Sequence, residues 1–298
     1  MRYGTSVICA LLAAVMFAFA AVMQQESTLT VPSDRSLSPG LLLDLLRRPK
    51  WVLGGASMLG GFGLQAVALA FGPIVLVQPI VVLELAFAIP FGILRRHRHA
   101  GLREWAGILA VMAGVAIFIL SANPGRGVGN PPSIEWIESL VPVGAVGAIC
   151  VGIGSTRRGP TRAMFFGSAA GMAFGLLSVL TKAVTHLLSS DVLKAFYTWQ
   201  VYVTIAVGIV ALTVSQSAYQ AGPLAYSMPF VGVLEPLIAI TIGDIVLGEA
   251  VNLTETEFVL ELTAAAVAIL GIVLLTTSQT VLSIYEERSM SSTPAQVG

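Results

Sequence analysis

The sequence predicts an all-α integral membrane protein with about nine transmembrane helices, because of its charge content, its hydropathy and its apolar runs. Only 11% of the 298 residues are charged and 56% are hydrophobic, whereas soluble domains carry about 25% charged residues. The mean hydropathy is +0.86, so lipid is the expected solvent. Nine runs are long enough, or nearly so, to cross about 30 Å of hydrocarbon as helices. These runs lie at about 5–23, 51–70, 74–94, 105–120, 137–155, 164–188, 199–218, 224–246 and 258–276.

Composition and motifs exclude several classes of protein. The net charge is zero, and the chain has no basic stripe of the kind that a nucleic-acid partner needs. Cys9 and Cys150 both fall in apolar runs, so they indicate neither a disulfide framework nor a metal site. The sequence contains no G-x-S-x-G, H-E-x-x-H, CxxC or P-loop motif. We therefore expect neither an enzyme nor a cofactor, and no ATP hydrolysis by this chain.

The first apolar run, MRYGTSVICALLAAVMFAFAA, allows two interpretations. One basic residue, an apolar stretch and an AFA-type site are also the marks of a cleaved signal peptide. We favour a retained helix, because an internal repeat described below uses this segment as its first member.

The basic residues predict the orientation of the chain. Nine spans place twelve of the sixteen Lys and Arg residues on one side of the membrane, and positively charged loops stay in the cytoplasm. The N-terminus is then outside, the C-terminus is cytoplasmic, and the protein is a multi-pass protein of the plasma or inner membrane. The twelve residues are Arg35, Arg47, Arg48, Lys50, Arg95, Arg96, Arg98, Arg103, Arg157, Arg158, Arg162 and Arg288.

The spans divide the chain into two halves of four helices. Residues 1–121 form the first half, and residues 122–158 form an outer linker and a connecting helix. Residues 159–283 form the second half, and residues 284–298 have the composition of a disordered cytoplasmic tail. In the loop after the first span, LLLDLLRRPKW could lie along the membrane surface as a short amphipathic helix.

The two halves repeat one another. With a shift of 150 positions, Gly72 falls on Gly222 and Pro79 falls on Pro229, while Glu84 and Glu235 miss each other by one residue. The first span of the first half runs from outside to inside, and the first span of the second half runs from inside to outside. The repeats are therefore inverted. Inverted repeats are characteristic of secondary transporters, which bind their cargo near the midplane. The alternative is chance similarity between two apolar segments rich in Gly and Pro.

At these residues the sequence resembles the EamA-type drug/metabolite transporter superfamily. The second half carries a GP-containing helix, then Leu247-Gly248-Glu249, then a closing span with AVAILGIVLL. The first half has FGILRRHRHAGLREWAGILAVMAGVAIF in the same place. The stretch QAVALAFGPIVLVQP and the nine spans are most similar to an actinobacterial-type branch and to the NIPA-like magnesium transporters. The resemblance implies a polytopic carrier fold.

The chain departs from the superfamily pattern in two ways. Each half is one helix short of the usual five-helix unit unless the connecting helix is counted. The acid of Leu247-Gly248-Glu249 falls outside in the orientation predicted above, whereas the superfamily usually keeps that loop inside.

Two central acids are the leading candidates for a binding site. Glu84 is ten residues from either end of its span, about 15 Å deep, and Glu235 lies at the same depth. A charge there costs at least about 2.5 kcal/mol, so each acid should face the interior of the bundle and bind a partner or a proton. The alternative is a protonated Glu that donates to a backbone carbonyl. Gln78, also near the middle of its span, is a further candidate.

Prolines within the same spans predict kinks. Pro79, Pro229 and Pro236 each remove a backbone donor, and a carbonyl freed at this depth is tolerated where it lines a cavity. Such prolines can also serve helix packing alone.

Lys182 and Asp244 are candidates for an outer gate. Each lies about 12–13 Å outward from the centre of its span, so the two side chains could form an ion pair. Lys182 could instead extend its ammonium group to the interface.

Small and polar residues elsewhere have structural interpretations. Gly167, Gly171 and Gly175 form a G-x-x-x-G-x-x-x-G face for close helix packing within the chain, or alternatively for a homodimer. Residues near the ends of the spans are interpreted as interfacial. They are Gln24, Gln25, Gln65, Gln216, Tyr219, Gln220, Trp51, Trp105, Trp136 and Trp199.

The function that follows is a secondary carrier that works by alternating access. We expect Glu84, Glu235 and Gln78 to hold a small metabolite, a drug-like solute or an ion, coupled to a proton or cation. One alternative is a divalent-cation transporter of the magnesium type, because carboxylates suit a hard cation. Another is a membrane protein that transports nothing, such as an assembly scaffold or an enzyme acting on lipid.

Overall fold

The computed structural model describes residues 3–28, 36–94, 101–121, 133–222, 224–249 and 254–277. Within these ranges the chain is helical, with short connections and no strand. The helices are α1 (Gly4–Thr28), α2 (Pro39–Leu46), α3 (Pro49–Phe71), α4 (Ile74–Val81), α5 (Leu83–Leu94), α6 (Leu102–Ser121), α7 (Ser133–Ser155), α8 (Gly159–Ser190), α9 (Val192–Ala195), α10 (Trp199–Ala221), α11 (Leu224–Leu247) and α12 (Glu255–Thr276).

The described part of the chain contains nine segments that are long and apolar enough to cross a membrane. Each overlaps one of the nine predicted runs, and α4 with α5 forms a single segment over Ile74–Gly92. The predicted all-α membrane fold is therefore confirmed. The predicted tail at 284–298 lies outside the described residues, as does the 122–132 part of the predicted linker.

Local sequence accounts for several helix ends. Pro49 occupies the first turn of α3, where the missing N–H costs nothing. Thr254 and Glu257 form a reciprocal capping box at the start of α12. The short helix α2 falls within the LLLDLLRRPKW segment, and it buries Leu41 and Leu45 while Leu43 is exposed.

The packing of the spanning helices follows the same order in both halves. In the first half α1 packs against α3 and against α4–α5, while in the second half α8 packs against α10 and α11. The fourth helix of each half, α6 or α12, packs mainly against the other. The fifth spanning helix, α7, lies against α8 and exposes a large apolar surface that includes Ile137, Val141 and Ile149.

Glycines bring α8 close to α11. A methyl group added at Gly167 would meet the carbonyl oxygen of Ser227 at 2.6 Å, and one at Gly175 would meet that of Glu235 at 2.8 Å. At Gly171 the carbonyl oxygen of Phe230 would be 3.0 Å away. The G-x-x-x-G-x-x-x-G face therefore packs against a helix of the same chain, at a separation that a side chain would prevent.

The proline helices differ between the halves. In the first half α4 contains Pro79 and ends at Val81, and the single residue Val82, whose backbone dihedral angles remain in the right-handed helical region, separates it from α5. In the second half α11 continues as one helix through Pro229 and Pro236. The two proline spans thus differ by the one residue between α4 and α5, two residues before Glu84. The kinks at Pro79, Pro229 and Pro236 stay predictions.

Candidate functional site

A cavity lies where α1, α3, α5, α8, α10 and α11 meet. Its volume is about 40 Å³, counted as the space that the centre of a water-sized sphere can occupy. One water needs about 10–15 Å³ by this measure, so the cavity has room for roughly three or four small groups. Its lining consists of Phe17, Ala20, Ala21, Gln24, Met58, Phe62, Glu84, Phe174, Tyr219, Val231 and Glu235.

The two central acids meet in this cavity. Glu84 projects from the first turn of α5 and Glu235 from the middle of α11, and both side chains line the cavity. Gln65 of α3 lies beside Glu235, and its Nε2 donates to Ser178 Oγ at 3.3 Å. The structure thus brings Glu84 and Glu235 together from different halves of the sequence.

Gln78, the third central candidate, does not line the cavity. Its side chain is 1% exposed, and neither Oε1 nor Nε2 has a hydrogen-bond partner. It lies in α4, one turn before Val82, the residue that separates α4 from α5.

A buried polar network closes one end of the bundle, which we call the Gln24 end. Gln216 Nε2 donates to Gln24 Oε1 at 2.7 Å, and Trp51 Nε1 donates to Gln216 Oε1 at 2.9 Å. Thr28 Oγ1 also donates to Gln216 Oε1, at 3.2 Å. The network joins α1, α3 and α10, and Gln24 also lines the cavity.

The expectation that Gln24, Gln216 and Trp51 are interfacial is wrong. Gln24 is 1% exposed, Gln216 is fully buried, and Trp51 is 6% exposed. Three helix ends converge here, so the polar groups satisfy one another instead of water. Gln25, Gln65 and Trp136 are also buried, whereas Trp105 is 53% exposed.

An ion pair closes the opposite end, which we call the Glu249 end. Lys182 Nζ lies 2.5 Å from Glu249 Oε1 and donates to the carbonyl oxygen of Gly72 at 2.7 Å. The backbone N–H of Ile74 donates to Glu249 Oε2 at 2.7 Å. Trp51 and Gly72 stand at opposite ends of α3, roughly 30 Å apart along that helix. The two closures therefore lie on opposite sides of the cavity.

The expected pair of Lys182 with Asp244 is wrong. Asp244 is exposed on α11, and Lys182 contacts Glu249 instead. The cause is the way that α11 ends. Gly248 has a φ of 62°, the Gly248 N–H bonds to the Asp244 carbonyl, and the Glu249 N–H bonds to the Gly243 carbonyl. The bond from Gly248 to Asp244 is that of an αL C-terminal cap, which glycine favours, and this turn places Glu249 next to Lys182.

Sequence reasoning missed Glu249 as a buried residue. Its signal was present in Leu247-Gly248-Glu249, where a glycine after an apolar helix predicts a C-terminal turn. The acid was assigned to an outer loop because it follows the last apolar residue of the span. In the structure its side chain is 3% exposed.

These features define a multi-pass α-helical membrane protein with an acidic cavity inside its bundle. An uncharacterized protein of Corynebacterium glutamicum (strain ATCC 13032) is 30% identical to this chain over 281 residues, covering 92% of the chain and 96% of that protein. The chain belongs to the same family as that protein. No family model and no solved structure matches the sequence.

Proposed function

We propose that this protein is a secondary transporter that moves a small solute or ion across the membrane by alternating access. The observation that carries the proposal is the cavity in which Glu84 and Glu235 meet. Each acid comes from one half of the chain and lies near the middle of its span. Transporters with inverted repeats bind their cargo in this kind of place.

The free-energy cost of placing two acids at the centre of the membrane supports a functional role for them. A charge at the bilayer centre costs at least about 2.5 kcal/mol, and acids there are rare unless they serve a pathway or a proton relay. Glu84 and Glu235 share one cavity, and two like charges at close range repel each other. A bound cation or a proton relieves this repulsion, so the pair is suited to exchange one for the other.

Alternating access needs a closure on each side of the site, and the bundle has one at each end. The Gln24–Gln216 hydrogen bond joins α1 to α10, and the Glu249–Ile74 hydrogen bond joins the end of α11 to the start of α4. Each closure links one half of the chain to the other. With the N-terminus outside, the Gln24 end is cytoplasmic and the Glu249 end is external.

The similar packing order of the two halves and the EamA-type resemblance support the same proposal. The α1–α3 contact has its counterpart in α8–α10, and the contact of α1 with α4–α5 has its counterpart in α8–α11. We infer that the halves are inverted repeats that rock against each other around the cavity. The contact between α6 and α12 would keep them together.

A magnesium-type transporter is the second candidate, favoured by the small cavity and its two carboxylates. Magnesium takes oxygen ligands and usually keeps several waters, so two carboxylates can suffice. The described residues contain no group of three or more His, Cys, Asp or Glu side chains suited to a metal. Transport of Mg²⁺ that an excess of organic solute does not inhibit would favour this candidate.

The experiment follows the accessibility of the cavity from each side. Ala20 lines the cavity, and Ala20→Cys is made in a chain with Cys9→Ala and Cys150→Ala. A membrane-impermeant thiol reagent should label it from either side of oriented vesicles. Thr156→Cys is the control, since Thr156 is exposed between α7 and α8 and should react from one side only. Labelling of Ala20→Cys from one side alone, under all gradients, contradicts alternating access and favours a protein that transports nothing.

Transport itself tests the assignment of the acids. Solute flux in reconstituted vesicles should be lost in Glu84→Gln and in Glu235→Gln while the variants remain inserted. Full flux in both variants contradicts the site.

A further inference from the structure

We propose that the cavity selects a small monovalent organic cation, such as an amine or a methylated ammonium with about three or four non-hydrogen atoms. This inference rests on the proposed transport function and gives its substrate class. It is carried by the charge, the aromatic lining and the size of the cavity.

The charge of the lining favours a cation. Glu84 and Glu235 both line the cavity, and none of the described residues that line it is Lys, Arg or His. An acid in an apolar site needs a compensating positive charge or a proton. An anion would meet the carboxylates with no positive group to offset them, and a neutral solute would leave protons as the only compensation.

The aromatic residues favour an organic cation over a metal ion. Phe17, Phe62 and Phe174 line the cavity next to the acids. The ring centroids of Phe17 and Phe62 are 5.0 Å apart and those of Phe62 and Phe174 are 6.1 Å apart, so the rings form one continuous patch. Rings of this kind attract an ammonium group and pack against its methyl groups. They offer nothing to Mg²⁺, which requires oxygen ligands.

The size of the cavity limits the cation. About 40 Å³ accommodates three or four water-sized groups. Trimethylammonium has four non-hydrogen atoms, whereas tetraethylammonium has nine. We therefore expect the first to bind in this conformation and the second to bind far more weakly.

Calorimetric titration of the purified full-length protein in detergent tests the inference. The probes are trimethylammonium, the similarly sized neutral alcohol tert-butanol, acetate and Mg²⁺. Trimethylammonium should bind, and tert-butanol and acetate should not. Binding of tert-butanol as tight as that of trimethylammonium would show that the site recognises shape alone. Binding of Mg²⁺ but not of trimethylammonium would also overturn the inference.

Variants show whether binding occurs in this cavity. Glu235→Gln should weaken trimethylammonium about tenfold or more, because it removes a close opposite charge. Glu138→Gln, which changes an exposed carboxylate of α7, should leave the affinity unchanged.

Phe17→Leu should weaken binding roughly 2- to 30-fold. Phe19→Leu is its control, since Phe19 lies on the same helix, pairs with Phe91 and does not line the cavity. Equal affinities in all four variants place the cation elsewhere and overturn the inference.

The outcome is separable from that of the proposed function. If Ala20→Cys is accessible from both sides while organic cations neither bind nor cross the vesicle membrane, the substrate class is wrong and alternating access stands. If trimethylammonium binds with the expected dependence on Glu235 but the cavity opens to one side only, the binding site stands and the transport function is wrong.

Discussion

Ile74 and Glu249 are joined by a 2.7 Å hydrogen bond from the backbone N–H of Ile74 to Glu249 Oε2, although 175 residues separate them. The same carboxylate pairs with Lys182 through its other oxygen. One acid thus satisfies a free N–H at the start of α4 and neutralises a lysine of α8. The contact joins the end of α11 to the helix that precedes Glu84.

Breaking the Lys182–Glu249 pair should destabilise the protein strongly. Removing one partner of a buried ion pair costs about 3–5 kcal/mol because the other charge is left buried, whereas replacing both is often close to neutral. We expect Lys182→Met and Glu249→Gln each to lower the thermal midpoint in detergent, and the double variant to lower it by less than the sum. Additive effects in the double variant would show that the two side chains do not act as a pair.

The close approach of α8 to α11 should be sensitive to one methyl group. In Gly167→Ala the new carbon would lie 2.6 Å from a backbone oxygen of Ser227, so the helices must separate, at a cost of about 1–3 kcal/mol. Gly147→Ala is the matched control, because nothing lies within 4 Å of that position on α7. Alanine is about 1 kcal/mol better than glycine inside a helix, so the control should be neutral or stabilising. Equal thermal midpoints in both variants contradict the close packing.

The sequence was sufficient for the helices and for the mid-span positions of Glu84 and Glu235, and insufficient for the contacts at the two ends of the bundle. Apolar runs define spans because lipid cannot satisfy a free backbone, and this constraint is local. Glu84 and Glu235 were identified by depth, which is also local. Gln216 and Glu249 were misjudged because both stand at the ends of spans, where water is the usual partner. Gln216 contacts Trp51 and Glu249 contacts Lys182 because helices that are distant in the sequence converge at these ends.

The network at the Gln24 end should depend on the Gln216 amide. Gln216→Leu removes the acceptor of Trp51 and the donor to Gln24, which leaves buried polar groups without partners at about 1–3 kcal/mol each. We expect a lower thermal midpoint and a changed tryptophan emission spectrum. Gln200→Leu is the control on the same helix, because the Oε1 of Gln200 is buried without a partner. A Gln216→Leu protein as stable as this control would show that the network contributes nothing to closure.

The Gln78→Leu variant should show whether the Gln78 amide becomes exposed when the cavity opens at the Glu249 end. Its amide is buried with neither polar atom bonded, a state that costs about 1–3 kcal/mol. Leucine has a similar volume and no polar group, so Gln78→Leu should raise the thermal midpoint of the closed conformation. If α4 exposes this amide when the Glu249 closure opens, the same variant should also slow solute flux, since the closed conformation is favoured. Stability is measured by thermal unfolding in detergent and flux in reconstituted vesicles. A variant that is less stable than the native protein would show that the amide is bonded in the folded state. A variant that is more stable but transports at the native rate would separate Gln78 from the transport cycle.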